Sequence, residues 1–155
     1  MNTQLQLTDP ALPEAQALLR NLNEYLSDRY AKEHCHVASL EQLKQPGVDF
    51  VLARQDEQAL GCGALFVCHD QKKSYGEIKR IFVSAEARGK GIAKAVMGFL
   101  ERRAREKGLS LLRLETGIHQ SEAVCLYQKL GFRLRPAYGD YVENGVSLFM
   151  EKSLG

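Results

Sequence analysis

"RIFVSAEARGKGIAKAVMGFL", residues 80–100, runs from an apolar segment (Ile81-Phe82-Val83) through two closely spaced glycines, Gly89 and Gly91, into an alanine-rich stretch with helical spacing. A strand, a tight turn and a helix start in one place suit an anion. The first N–H groups of a helix have no partner inside the helix. The helix dipole places about half a positive charge at the same end. Phosphate is the usual ligand of such a site. Two familiar phosphate loops are excluded by the residues themselves. The pattern G-x-x-x-x-G-K-[S/T] is absent. The dinucleotide fingerprint G-x-G-x-x-G/A fails because Lys94 stands where its third small residue belongs.

Outward from this stretch, the chain reads as alternating strands and helices. "LQLTD" alternates as a short strand. Leu18, Leu19, Leu22, Tyr25 and Leu26 recur at helical spacing. "SLEQLKQPG" is a helical turn stopped by Pro46-Gly47. "VDFVLARQ" and "ALGCGALFVCHD" form a hairpin across "DEQ", and "YGEIKRIFVS" is the next strand. A helix over about Lys90–Lys107 is expected to bury Ile92, Val96, Phe99, Leu100 and Ala104, with Gly108 as its stop. "LSLLRLET" is a strand. Ser121 is placed to cap a short helix carrying Ala123, Leu126, Tyr127 and Leu130 on one face. "FRLRP" and "VSLFMEKSL" close the sheet. The order β-α-α-β-β-β-α-β-α-β-β predicts one α/β (α+β) domain over residues 1–155. Its mixed sheet is expected to be mostly antiparallel, with a right-handed parallel crossover at residues 76–116.

Composition narrows the function classes. The chain has 155 residues, 45% hydrophobic and 26% charged, which suits a globular protein with a real core. No apolar run reaches the ~18 residues of a membrane span. "MNTQLQLTD" lacks the basic and apolar regions of a secretory signal. Cys35, Cys62, Cys68 and Cys125 show neither a CxxC pair nor zinc spacing. Reduced thiols in a cytoplasmic protein are therefore expected. Residues 1–60 carry a balance of −4 and residues 61–155 one of +6. A basic second half suits a polyanionic ligand.

"RGKGIA" (Arg88–Ala93) fits R/Q-x-x-G-x-G/A, and it resembles the acetyl-coenzyme A pyrophosphate loop of the GCN5-related N-acetyltransferase (GNAT) superfamily. The resemblance extends to "EIKRIFV", which is similar to the family's central strand, and to "SEAVCLYQKLGF", which is similar to its downstream helix and strand. It implies a GNAT-like domain with a splayed parallel strand pair and a direct attack of a primary amine on acetyl-CoA, which serves as cosubstrate with no metal. It implies coenzyme contacts at Ile81, Phe82 and Val83, and at Arg88, Gly89, Lys90, Gly91, Ile92 and Ala93.

It also implies two catalytic residues. Glu77 falls where one branch of the family carries its general base, and Tyr127 falls where the family's tyrosine reaches the coenzyme sulfur. A lysine-type amine has a pKa of about 10.4, so only about one molecule in 10³ is free base at pH 7, which is why a base is useful. The same resemblance walls the acceptor pocket with Tyr25, Arg29, Tyr30, His34, His36, Tyr138 and Tyr141. It makes a homodimer an expectation. Gln120 departs from the family pattern, which commonly has Asn there. A small-molecule amine is the expected acceptor; a protein amine and a non-catalytic acetyl-CoA sensor are the alternatives. Neither a membrane nor a nucleic-acid partner is expected. "HCH" at residues 34–36 has no carboxylate cluster beside it and reads as a loop rather than a metal site.

Overall fold

A computed structural model describes residues 2–155. Among the described residues, seven strands form one sheet in the order β1-β2-β3-β4-β5-β7-β6. They are β1 (Gln4–Leu7), β2 (Asp49–Gln55), β3 (Gln58–His69), β4 (Ser74–Val83), β5 (Leu111–Gly117), β6 (Arg133–Arg135) and β7 (Ser147–Ser153). The helices are α1 (Pro13–Ser27), α2 (Leu40–Leu43), α3 (Ile92–Glu106) and α4 (Ser121–Lys129). Element order, the antiparallel hairpins and the parallel β4–β5 crossover follow the expectation from sequence.

Local chemistry explains the main boundaries. Pro13 opens α1, where its missing N–H costs nothing. The β2–β3 hairpin turns on Asp56 and Glu57, both with positive φ (50° and 66°), the geometry a two-residue hairpin turn requires. Ser39 caps α2 in a capping box with Gln42. Gly91 is the N-cap of α3 with φ 80°, a left-handed conformation that costs a glycine little. The helix therefore begins at Ile92 and not near Lys90.

The long helix buries Ile92, Val96, Met97, Leu100 and Ala104. Met97 takes the core place expected of Phe99, which is only partly buried against the same cluster. Ser121 is the first residue of α4 and not its cap. Gln120 occupies the cap position, and its side chain makes no capping bond.

Both faces of the sheet are covered. On one, α3 packs Val96, Leu100 and Ala104 against Leu65, Ile78, Leu112, Leu114 and Met150, and Tyr127 from α4 joins this cluster. On the other, Leu18, Leu19 and Leu22 of α1 meet Phe50, Leu52, Ala64 and Phe82. A smaller cluster holds Tyr75, Leu111, Tyr138 and Phe149.

Two irregularities matter for function. Cys62 opposes Phe82 and Ala64 opposes Lys79, so Gly63 faces two residues, Arg80 and Ile81. This β-bulge holds Arg80 at φ 61° and bends β4. The parallel ladder between β4 and β5 spans only Gly76–Ile78 and Leu112–Leu114. Beyond it the two strands diverge, while β5 stays paired with β7 as far as Gly117.

Gly63 lies where α3 approaches the bulge. A Cβ there would stand 2.5 Å from Ile81 Cδ1 and 2.8 Å from Val96 Cγ1. Gly63→Ala should therefore overpack this contact and cost about 1–3 kcal/mol. A thermal melt should show Tm lower by roughly 3–10 °C at this chain size.

Candidate active site

The divergence of β4 and β5 opens two adjoining cavities. The larger, of about 350 Å³, is lined by Ile81, Phe82 and Val83, by Arg88, Gly89, Gly91, Ile92, Ala93 and Lys94, and by Gln120, Leu126 and Tyr127. Gly89 and Gly91 each have φ 80°, and the space above their Cα atoms is empty. The N-terminus of α3 carries no side-chain cap and no acidic residue in its first turn. Its leading N–H groups and dipole thus await an external anion.

Arg88 folds back, its Nε donating to the Val83 carbonyl at 3.1 Å and its guanidinium standing near the Tyr25 and Phe82 rings. Lys90 is exposed on the loop outside the cleft lining, whereas Lys94, one turn into the helix, lines it.

The smaller cavity, of about 90 Å³, lies between the diverging segments Lys79–Ile81 and Glu115–Gly117. Leu22 and Leu26 of α1, the loop from Tyr30 to Ala38, and Tyr141 close it. Glu77 lines this cavity while being almost wholly buried. Its Oε2 accepts hydrogen bonds from Tyr138 Oη (2.7 Å) and Tyr141 Oη (2.8 Å). Lys79 Nζ donates to Tyr141 Oη at 2.6 Å and lies 3.6 Å from Glu77. The other oxygen, Oε1, has only the Cys68 thiol at 3.9 Å. On β5, Glu115 Oε2 accepts from Ser147 Oγ (2.7 Å) and stands 2.9 Å from His36 Nδ1. Arg80 and Thr116 contribute buried polar atoms without partners.

Tyr127 lines both cavities. Burial pushes its phenol well above the ordinary range, so it stays protonated. Tyr138 and Tyr141 are pushed up as well, first by burial and then by the Glu77 charge they bond. The buried thiol of Cys62 is raised by burial to about 12, and the half-buried thiol of Cys68 by burial and the Glu77 charge to about 11, so neither is a nucleophile at neutral pH. Among the described residues no group of three His, Cys, Asp or Glu side chains is placed to hold a metal. No described helix is long and apolar enough to cross a membrane.

The structure distributes the expected acceptor wall unevenly. Tyr30, His34, His36 and Tyr141 line the smaller cavity. Tyr25 lines the larger one. Tyr138 lies behind the cavity wall as a ligand of Glu77. Arg29 is exposed over the Tyr25 ring. Gln120 Oε1 accepts from Tyr30 Oη at 3.2 Å, and the same hydroxyl accepts from the His119 N–H at 3.1 Å. Sequence reasoning missed Glu115, Arg80 and Thr116. The available signal was a charged or polar residue at each position inside a strand that otherwise reads apolar.

The family model described as the acetyltransferase (GNAT) family matches residues 15–132. Over 137 residues the chain is 42% identical to the IAA acetyltransferase of Azospirillum brasilense, covering 88% of each chain. The solved structure of the PaiA N-acetyltransferase of Thermoplasma acidophilum in complex with coenzyme A is similar to it with a TM-score of 0.77 and 20% identity, covering 99% of both chains. A GNAT-family acetyltransferase of Elizabethkingia anophelis with acetyl-CoA bound is similar with a TM-score of 0.66 and 20% identity, also over 99% of both chains. The chain belongs to the acetyltransferase (GNAT) family. It is an N-acetyltransferase whose cosubstrate is acetyl-CoA.

Two outcomes test this geometry. A Cβ on Gly117 would fall 1.8 Å from Tyr30 Oη, so Gly117→Ala should expel the Tyr30 ring and break its bonds to Gln120 and His119. Activity should fall at least tenfold, and a crystal structure should show Tyr30 displaced. The three tyrosines give a sign for alkaline stability. Their folded pKa values lie above the ordinary value of about 10. The stabilisation is complete below that pH and is lost as pH rises above it, because the unfolded chain ionises first. Denaturant midpoints should decline above about pH 10, and replacing Tyr138 by Phe should flatten the decline.

Proposed function

We propose that this domain transfers the acetyl group of acetyl-CoA to the primary amine of a small molecule by direct attack in a ternary complex. The observation that carries this reading is Tyr127, which stands between a cleft shaped for the coenzyme and a small acceptor cavity and lines both. The 90 Å³ size of the acceptor cavity and the similarity to the IAA acetyltransferase support a small acceptor.

The residues divide the work as follows. The open N-terminus of α3 holds the pyrophosphate, and the exposed edge of Ile81–Val83 pairs with the extended arm that follows it. Acetyl-CoA supplies the thioester carbonyl. Glu77 takes the amine's proton on Oε1, directly or across one water, while Tyr138 and Tyr141 hold Oε2 in place. A backbone N–H near Phe82 polarises the carbonyl oxygen. As the C–N bond forms and the C–S bond breaks, Tyr127 donates its hydroxyl proton toward the departing sulfur. A thiolate whose thiol has a pKa of about 8.5 is a weaker base than a raised phenolate, so Tyr127 holds its proton in the resting site, shares it with the sulfur as charge develops there, and regains a proton from solvent as the coenzyme thiol leaves.

Tyr127→Phe should lower kcat by about 10²-fold and leave the KM for acetyl-CoA unchanged, as expected for a lost proton donor. Unchanged turnover would remove that role. Glu77→Gln should lower kcat by roughly 10²–10⁴-fold. A melting scan tests the cleft separately. Acetyl-CoA or CoA at 100 times Kd should add about 2.7 kcal/mol, or roughly 5–10 °C in Tm, and NAD should add nothing. Stabilisation by acetyl-CoA without thiol release on any amine would identify a sensor instead of an enzyme.

A further inference from the structure

Arg80 is a buried cation without a counter-ion. It is 9% exposed. Its Nη2 donates to the Leu19 carbonyl (3.3 Å) and to Asn23 Oδ1 (2.7 Å), both neutral. Its Nε and Nη1 are buried and have no partner. None of the ion pairs among the described residues includes it. Other buried or half-buried arginines are paired, as Arg113 is with Asp70 and Glu151.

An uncompensated charge is among the costliest groups a fold can bury. Arg80 also sits in the strained left-handed conformation of the bulge, at φ 61°. Both features make sense if a ligand completes the site.

The position of Arg80 selects the ligand. Arg80 lines the acceptor cavity and is absent from the lining of the coenzyme cleft, so its counter-ion belongs to the acceptor and not to the coenzyme phosphates. Glu77 and Glu115 line the same cavity. Two carboxylates repel a dianionic phosphate and attract an ammonium. The remaining cation, Lys79, is already engaged with Tyr141 and Glu77. A singly charged carboxylate is the anion that balances one unpaired guanidinium beside an ammonium site.

We propose that the acceptor is a small amino carboxylate, its amine held on the Glu77 side of the cavity and its carboxylate held by the uncompensated charge of Arg80. This rests on the acetyl-transfer reading given above.

The test compares amino acids with their own carboxamides, alanine with alaninamide and phenylalanine with phenylalaninamide, by thiol release. The wild-type chain should prefer the acid by at least tenfold in kcat/KM, mainly through KM. Arg80→Gln should bring the ratio close to one while acetyl-CoA binding is retained, and Arg80→Lys should restore part of it. Equal rates for acid and amide in the wild type, or a preference that survives in Arg80→Gln, overturn the proposal. The wild-type comparison decides the matter even if Arg80→Gln fails to fold.

A binding arm separates this proposal from the reaction itself. Propionate and 3-phenylpropionate, with their amides as controls, are titrated by calorimetry into the CoA-loaded protein. Saturable carboxylate binding that the amides do not show, and that Arg80→Gln loses, supports the site even if no amine on the panel is acetylated. Absence of carboxylate binding in the wild type overturns it.

Discussion

The short parallel ladder between β4 and β5 is the constraint on which the site depends. It ends after Ile78 and Leu114. Beyond that point the facing edges of both strands carry backbone N–H and C=O groups with no strand to meet. Such groups must find a partner in a ligand or water. Two features keep the strands apart. The bulge at Arg80 bends β4, and the Tyr30 ring rests against Gly117 at the far end of β5. The gap therefore belongs to the fold itself. The two cavities occupy it from its two sides, with Tyr127 lining both.

Burial and charge act together around this gap. Glu77 is nearly excluded from solvent, yet two tyrosine hydroxyls and Lys79 surround one of its oxygens. Bonds of this kind make a buried carboxylate tolerable. Its second oxygen meets only the Cys68 thiol, at 3.9 Å. Tyr127 has the opposite character: its phenol is buried and kept neutral. A buried carboxylate and a neutral phenol thus line one pocket. Arg80 adds a third charge with no internal partner.

The fold was legible in sequence wherever the physics was local. Gly89 and Gly91 mark a turn because a left-handed backbone suits glycine. The 3.6-residue period of Ile92, Val96, Leu100 and Ala104 marks one helix face. Errors came where neighbours decided the outcome. Phe99 and Met97 are both apolar and two positions apart, and only the packing of α3 on the sheet chose Met97. Ser121 has the chemistry of a cap, but the chain enters α4 one residue earlier, at Gln120.

By itself, the sequence determined the order of elements, the mixed sheet, the glycine turn before α3 and the family, because each rests on spacing along the chain. Only the tertiary structure decided which polar residues share a cavity. Glu77 meets Tyr138 and Tyr141, which lie more than sixty residues away along the chain, and Glu115 meets His36 across 79 residues. The same holds for the solitude of Arg80. Whether a buried charge has a partner depends on what the folded chain brings beside it, and no local pattern records that.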